Sequence, residues 1–134
     1  MRRKWTIVLV FFGAAACSSS TENNNGNNNH YPGDPGGSPA QAVTVEVLDN
    51  RYSPAAVVVA VGGTVTFSWI GTAGHSVTPT GSPAFSPAAG VSFPPKELTV
   101  TFTTAGTYNY HCLIHGVTDA YGTQGSMVGT VFVR

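Results

Sequence analysis

Short runs in which apolar and polar side chains alternate fill this chain from residue 42 onward. In residues 43–48 every second side chain is a valine, which is the period of a β-strand with one buried face. Turn residues such as Asp49-Asn50 and Gly62-Gly63 separate the runs, and no long amphipathic helix interrupts them. The predicted strands are 43–48, 56–61, 64–69, 75–78, 98–102, 107–112 and 127–133. The pattern predicts an all-β Greek-key β-sandwich of about seven to eight strands.

The N-terminus has the three parts of an export signal. Basic residues 2–4 precede an apolar run over residues 5–16, which is too short to span a bilayer comfortably, and small residues lead to Cys17. The end of this run resembles the lipobox of bacterial lipoproteins, which implies that Cys17 is the lipidated first residue of the mature protein. We therefore expect an exported protein with a lipid anchor in the bacterial cell envelope. Ser18 lacks the aspartate associated with inner-membrane retention, which favours the periplasmic side of the outer membrane in a Gram-negative host.

Composition divides the rest of the chain in two. Residues 17–41 are rich in Asn, Gly and Pro without apolar periodicity, so after a signal peptide at 1–16 we expect a disordered tether. Residues 42–134 form the expected single folded domain. Removal of the signal leaves three basic and six acidic residues, and no basic patch with interleaved aromatics is present. Nucleic acid is therefore not an expected partner.

Cys112 and His115 lie three positions apart directly after a predicted strand, so one tight turn can offer a thiol and an imidazole to a single metal ion. His75 upstream and Met127 downstream are further candidate ligands. Two imidazoles, a thiolate and a weak thioether are the ligands of a blue-copper electron-transfer site. Structural zinc usually takes four strong ligands, and the cysteines of an iron–sulfur cluster or the carboxylates of a calcium or magnesium site are missing here.

The cysteine count supports metal binding by Cys112. With Cys17 acylated, Cys112 is the only thiol of the exported domain, and an unpaired thiol outside the cytoplasm is prone to oxidation. Ligation of a metal gives such a thiol a role. The alternative is a small buried hydrophobic residue, which free cysteine often is.

Residues 42–134 resemble a cupredoxin of the plastocyanin and pseudoazurin type. The resemblance lies in Gly-His-Ser-Val at 74–77, in the segment 106–115 that ends in His-Cys-Leu-Ile-His, and in Met-Val-Gly-Thr-Val at 127–131. It implies one type 1 copper held by His75, Cys112 and His115, with Met127 as the weak axial ligand. It also implies electron transport.

Two features depart from the simplest form of that pattern. Residues 116–126 separate His115 from Met127, more than in close relatives, so Gln124 is an alternative axial ligand; the intact Met-x-Gly-x-Val favours Met127. His111 resembles the histidine of the His-Cys pair in copper nitrite reductases and multicopper oxidases. Strand alternation points it away from the site of Cys112, so we expect a hydrogen-bonded structural histidine or a solvent-facing one.

These observations favour a membrane-tethered, monomeric blue-copper electron shuttle that docks transiently with redox proteins through Leu113, Ile114 and Val117. The alternatives are a copper chaperone or buffer without a redox role, which methionine-rich tracts would favour, and a purely structural module. An enzyme is not expected, because the sequence has no catalytic triad, carboxylate dyad or phosphate loop.

Overall fold

The computed structural model describes residues 33–116 and 127–134, and these residues form eight β-strands. The strands are β1 (Ala40–Leu48), β2 (Arg51–Ser53), β3 (Ala56–Trp69), β4 (His75–Thr80), β5 (Ala89–Ser92), β6 (Lys96–Phe102), β7 (Gly106–His111) and β8 (Val128–Val133). The predicted all-β class with seven to eight strands is confirmed. Within the described ranges, no helix has the length and apolar character needed to cross a membrane.

The long strand β3 joins two layers. Its residues 56–59 pair in parallel with β8, whereas residues 63–69 pair with β6 and residues 64–69 pair with β1. One layer therefore has the order β2-β1-β3-β6, and the other has the order β3-β8-β7-β4-β5. The ring of Phe67 in the first layer lies 5.1 Å from that of Tyr110 in the second, measured between centroids. The two layers thus face each other across the core.

The prediction of a turn at Gly62-Gly63 was wrong, because β3 runs through both glycines. Gly62 has a φ of +84°, and a Cβ on Gly63 would lie 2.8 Å from the carbonyl oxygen of Ala60. The two glycines therefore let the strand bend without ending, and β6 pairs with it from Gly63 onward. The short strands β2 and β5 were not predicted, and β1 begins two residues before the expected start of the domain.

The core shows why β3 forms a strand with one buried face. Val65, Phe67 and Trp69 are buried, whereas the alternating Thr and Ser side chains between them are only partly buried. This is the period of two that a half-buried strand requires. Aromatic rings fill the space between the layers, and Tyr52 meets Tyr110 edge to face with centroids 4.8 Å apart.

An ion pair ties the segment before β1 to the residue after β8. The buried carboxylate of Asp34 pairs with the guanidinium of Arg134, which also donates to the carbonyl of Gly37 at 2.9 Å. Arg134 in turn donates its backbone N–H to the carbonyl of Val59. β8 pairs with β7 so that Val133 lies at the opposite end of the sandwich from His111. The chain therefore begins its first strand at the end far from Cys112.

Tyr110 carries a buried hydroxyl for which the described part of the chain offers no hydrogen-bond partner. Burial raises the pKa of this phenol. Because a buried unsatisfied hydroxyl is costly, we expect Tyr110→Phe to raise the free energy of unfolding by about 1 kcal/mol. Urea unfolding in the presence of a chelator measures this change without any contribution from bound metal.

Tyr52→Phe is the matched control, because the Tyr52 hydroxyl donates to the carbonyl of Ser76 at 2.6 Å. Tyr52→Phe removes this buried hydrogen bond, so the free energy of unfolding should fall by about 1 kcal/mol. Equal destabilisation by both substitutions would mean that the Tyr110 hydroxyl makes a stabilising contact.

Candidate metal centre

The pairing of β4 with β7 brings His75 and Cys112 together. These strands are antiparallel and pair Thr78 with His111. Cys112, the next residue after His111, therefore lies toward the beginning of β4, which is His75. Beyond Cys112 the chain turns, and the carbonyl of Cys112 accepts the backbone N–H of Gly116 at 2.7 Å. This turn returns His115 to the same end of the sandwich, as the three-residue spacing predicted.

Three donor atoms meet there in a triangle. His75 Nδ1 lies 3.1 Å from His115 Nδ1 and 3.8 Å from Cys112 Sγ, and His115 Nδ1 lies 3.6 Å from Cys112 Sγ. A circle through the three atoms has a radius of about 2 Å, which matches the roughly 2.0–2.3 Å distances from a first-row ion to nitrogen and sulfur. His75 and Cys112 are fully buried and His115 is half-buried. The three residues can therefore hold one copper ion.

Ser76 fixes the segment that carries Cys112. Its backbone N–H points at Cys112 Sγ at 3.5 Å, and its hydroxyl accepts the backbone N–H of Leu113 at 2.8 Å. The hydroxyl of Thr78 lies 3.1 Å from that of Ser76. Ser76, which follows the candidate ligand His75, thus positions the other candidate ligand, Cys112.

Two aromatic side chains hold the backbone of His75 and Ser76 from inside the core. Trp69 Nε1 donates to the carbonyl of His75 at 2.9 Å, and the Tyr52 hydroxyl donates to the carbonyl of Ser76. Sequence reasoning missed both roles. No local signal announces them, because the donors come from other strands and meet the site only through the fold.

Asp49 lies on the other side of the His75 ring. Its Oδ1 is 3.3 Å from His75 Nε2 and also accepts the backbone N–H groups of Thr72 and Ala73, each at 2.9 Å. Its Oδ2 accepts the Thr72 hydroxyl at 2.7 Å. The hydrogen bond from the Ala73 backbone, followed by those from the Thr72 side chain and backbone, holds the pKa of Asp49 well below its usual range. The sequence had indicated only a turn at this residue.

The remaining predicted residues fall into two groups. Met127 is fully buried directly before β8, and its carbonyl accepts the backbone N–H of Cys112 at 3.0 Å. His111 is outside the donor triangle, and its Nδ1 makes a hydrogen bond with the Thr80 hydroxyl. Three predicted residues lie outside the described residues, namely Cys17, Val117 and Gln124.

Exposed apolar side chains flank the segment 74–76. Leu113 and Ile114 are 54% and 57% exposed, and Leu113 is bonded to Ser76 through its backbone. Phe93, 68% exposed, lies over Gly74, where an added Cβ would be 2.9 Å from its ring. Phe93 was not recognised from the sequence, since the strand β5 that precedes it was not predicted.

Comparison with known proteins gives relatives only among solved structures, because no family model and no curated protein matches the chain. A reduced Cu(I) form of an amicyanin variant at pH 4 is 27% identical to this chain, with a TM-score of 0.56. The match covers 72% of this chain and 86% of the amicyanin chain. A methionine-to-glutamine variant of amicyanin with Cu(I) is 26% identical, with coverages of 70% and 83% and a TM-score of 0.56.

A copper-containing nitrite reductase from Thermus scotoductus also matches, with 23% identity and a TM-score of 0.57. The match covers 69% of this chain but only 22% of that enzyme, so it indicates a shared fold and no more. Together these neighbours confirm that the chain has the cupredoxin fold that its sequence resembles.

Proposed function

We propose that this protein is a type 1 copper electron-transfer protein of the bacterial cell envelope. The main support is the triangle of His75 Nδ1, His115 Nδ1 and Cys112 Sγ, with sides of 3.1–3.8 Å, on a cupredoxin fold. Two imidazoles and one thiolate form the equatorial ligand set of blue copper. When bound, copper in this set supplies one-electron exchange between Cu(II) and Cu(I). Matching structures include amicyanin variants with Cu(I) and in an oxidised form.

The protein's own residues suit a carrier because they keep the donors in place. The backbone of His75 is held by Trp69, and Cys112 is held through Ser76. Donors fixed in this way need to move little when the charge of the site changes, which favours fast electron exchange. Met127, buried beside the backbone of Cys112, is the proposed weak axial ligand. Such a ligand set leaves no open position for a substrate, so we propose no catalytic role.

His115 is the proposed contact with redox partners. It is the only half-buried member of the donor triangle, and the exposed Leu113 and Ile114 precede it in the same turn. Val117 is proposed to extend this apolar surface. A small apolar surface around a ligand edge supports brief docking of a monomeric carrier, because transient redox complexes bury little area.

The oxidised, copper-loaded protein should contain one copper per chain and show an intense visible band from thiolate-to-copper charge transfer. Cys112→Ser should abolish the band. His111→Asn is the matched control, because the adjacent histidine lies outside the triangle, and it should leave the band in place. Metal analysis with visible spectroscopy checks all three proteins.

A wild-type protein that took up only zinc, or that stayed blue with serine at position 112, would contradict the proposal. Tight binding of Cu(I) without a visible band after oxidation would indicate a copper chaperone or buffer instead.

Met127→Leu should keep the site blue but raise its reduction potential, because losing a weak donor disfavours Cu(II) more than Cu(I). We expect at least a tenfold shift of the redox equilibrium, which is about 59 mV for one electron. Leucine has a similar volume, so the fold should tolerate it. Gln124→Ala is the control and should change the potential little. Voltammetry that gave the opposite pattern would assign the axial position to Gln124.

We also propose that Cys17 anchors the protein through a lipid. The basic residues 2–4, the apolar run 5–16 and the small residues before Cys17 support this proposal. Cells that express the protein should incorporate labelled palmitate into it, and Cys17→Ser should abolish the labelling. Cys112→Ser is the matched cysteine control and should remain labelled. Mass spectrometry that found an unmodified Cys17 in the mature native protein would refute the anchor.

A further inference from the structure

We propose that Asp49 positions His75 for metal binding by fixing the tautomer and direction of its ring. This inference rests on the proposed function, because it gives His75 its role toward the metal. The two ring nitrogens have different neighbours: Nδ1 faces His115 and Cys112, whereas Nε2 faces the Asp49 carboxylate at 3.3 Å. No feature of the Asp49-Asn50 turn in the sequence indicated this contact.

The chemistry of the contact decides which nitrogen carries the proton. A neutral imidazole has one N–H, and an ionised carboxylate can only accept hydrogen bonds. Nε2 must therefore donate to Asp49, which leaves the lone pair of Nδ1 directed into the donor triangle. A carboxylate in this position also makes the ligating nitrogen a stronger donor to a metal ion.

Asp49 can act in this way because it is itself held from several sides. Three donors from Thr72 and Ala73 bind its two oxygens, all at 2.7–2.9 Å. A Cβ on Gly71 would lie 2.4 Å from Asp49 Oδ1, so only glycine allows this close approach. The next residue, Asn50, has a φ of 62°, which completes the tight turn between β1 and β2. The Asp49 carboxylate thus joins the turn between β1 and β2 to residues 71–73, which lead into His75.

The alternative to a positioning role is a structural clamp, in which Asp49 only holds residues 72 and 73 in place. The two roles predict different results. A clamp needs only the hydrogen bonds to Thr72 and Ala73. Asparagine can keep them, because its oxygen accepts the two backbone N–H groups and its amide can donate to the Thr72 hydroxyl. A positioning carboxylate also places a negative charge beside the ligand ring, where it stabilises the more positive, oxidised state of the metal. The Asp49 side chain is 42% exposed, so solvent screens this charge and the effect on the potential should be moderate.

The test compares Asp49→Asn and Asp49→Ala with Glu46→Gln, a control that removes the same charge from an exposed position on β1. Nitrogen NMR of the His75 ring, in the metal-free and Cu(I) proteins, reports the tautomer. Voltammetry reports the potential, and titration with Zn²⁺ reports metal affinity independently of redox behaviour.

We expect a proton on His75 Nε2 in the wild type. Asp49→Asn should retain the visible band and shift the redox equilibrium threefold to tenfold toward Cu(I), at most about 59 mV. Asp49→Ala should give a mixture of ring tautomers in the metal-free protein and a 10- to 100-fold loss of Zn²⁺ affinity. Glu46→Gln should change none of these quantities.

The proposal is overturned if Asp49→Ala keeps a single Nε2–H tautomer with wild-type Zn²⁺ affinity, or if Asp49→Asn shifts the potential no more than Glu46→Gln does. A wild-type protein without a blue copper site would contradict the proposed function instead. In that case the tautomer of metal-free His75 and the Zn²⁺ titration still test the role of Asp49.

Discussion

The donor atoms of His75, Cys112 and His115 meet at one end of an apolar core, and the structure around them depends on this arrangement. His75 and Cys112 are fully buried, and removing unpaired polar groups from water costs on the order of 2–7 kcal/mol each. The neighbouring backbone groups accordingly have partners, which Trp69, Tyr52 and Ser76 supply. Residues that would otherwise count as core packing therefore also hold the site.

The candidate ligands could be predicted because much of their chemistry is local in sequence. Cys112 and His115 share one turn, and the resemblance of the segments around them to cupredoxins added His75 from a distant strand. The structure brings these three together. Met127 is placed beside the backbone of Cys112, but its role as a ligand stays a prediction, as does the alternative of Gln124 outside the described residues.

What the sequence did not reveal depends on contacts between distant segments. Asp49 looks like an ordinary turn residue until the fold places it against Gly71 and the His75 ring. The Gly62-Gly63 pair is typical of a turn, yet the pairing of β3 with β6 from Gly63 onward extends the strand past it. Strands as short as β2 and β5 offer too few residues to show a period of two.

The ion pair between Asp34 and Arg134 fixes the N-terminal segment at the end of the domain opposite the donor triangle. It holds the segment before β1 at one pole of the sandwich, while the donor triangle lies at the other, beyond a first strand of nine residues or about 30 Å. A membrane anchor on the N-terminal side, as proposed for Cys17, would therefore leave the donor triangle facing away from the membrane. The length of the β-sandwich would then separate the donor triangle from the proposed anchor, and an approaching redox partner would meet the donor triangle first.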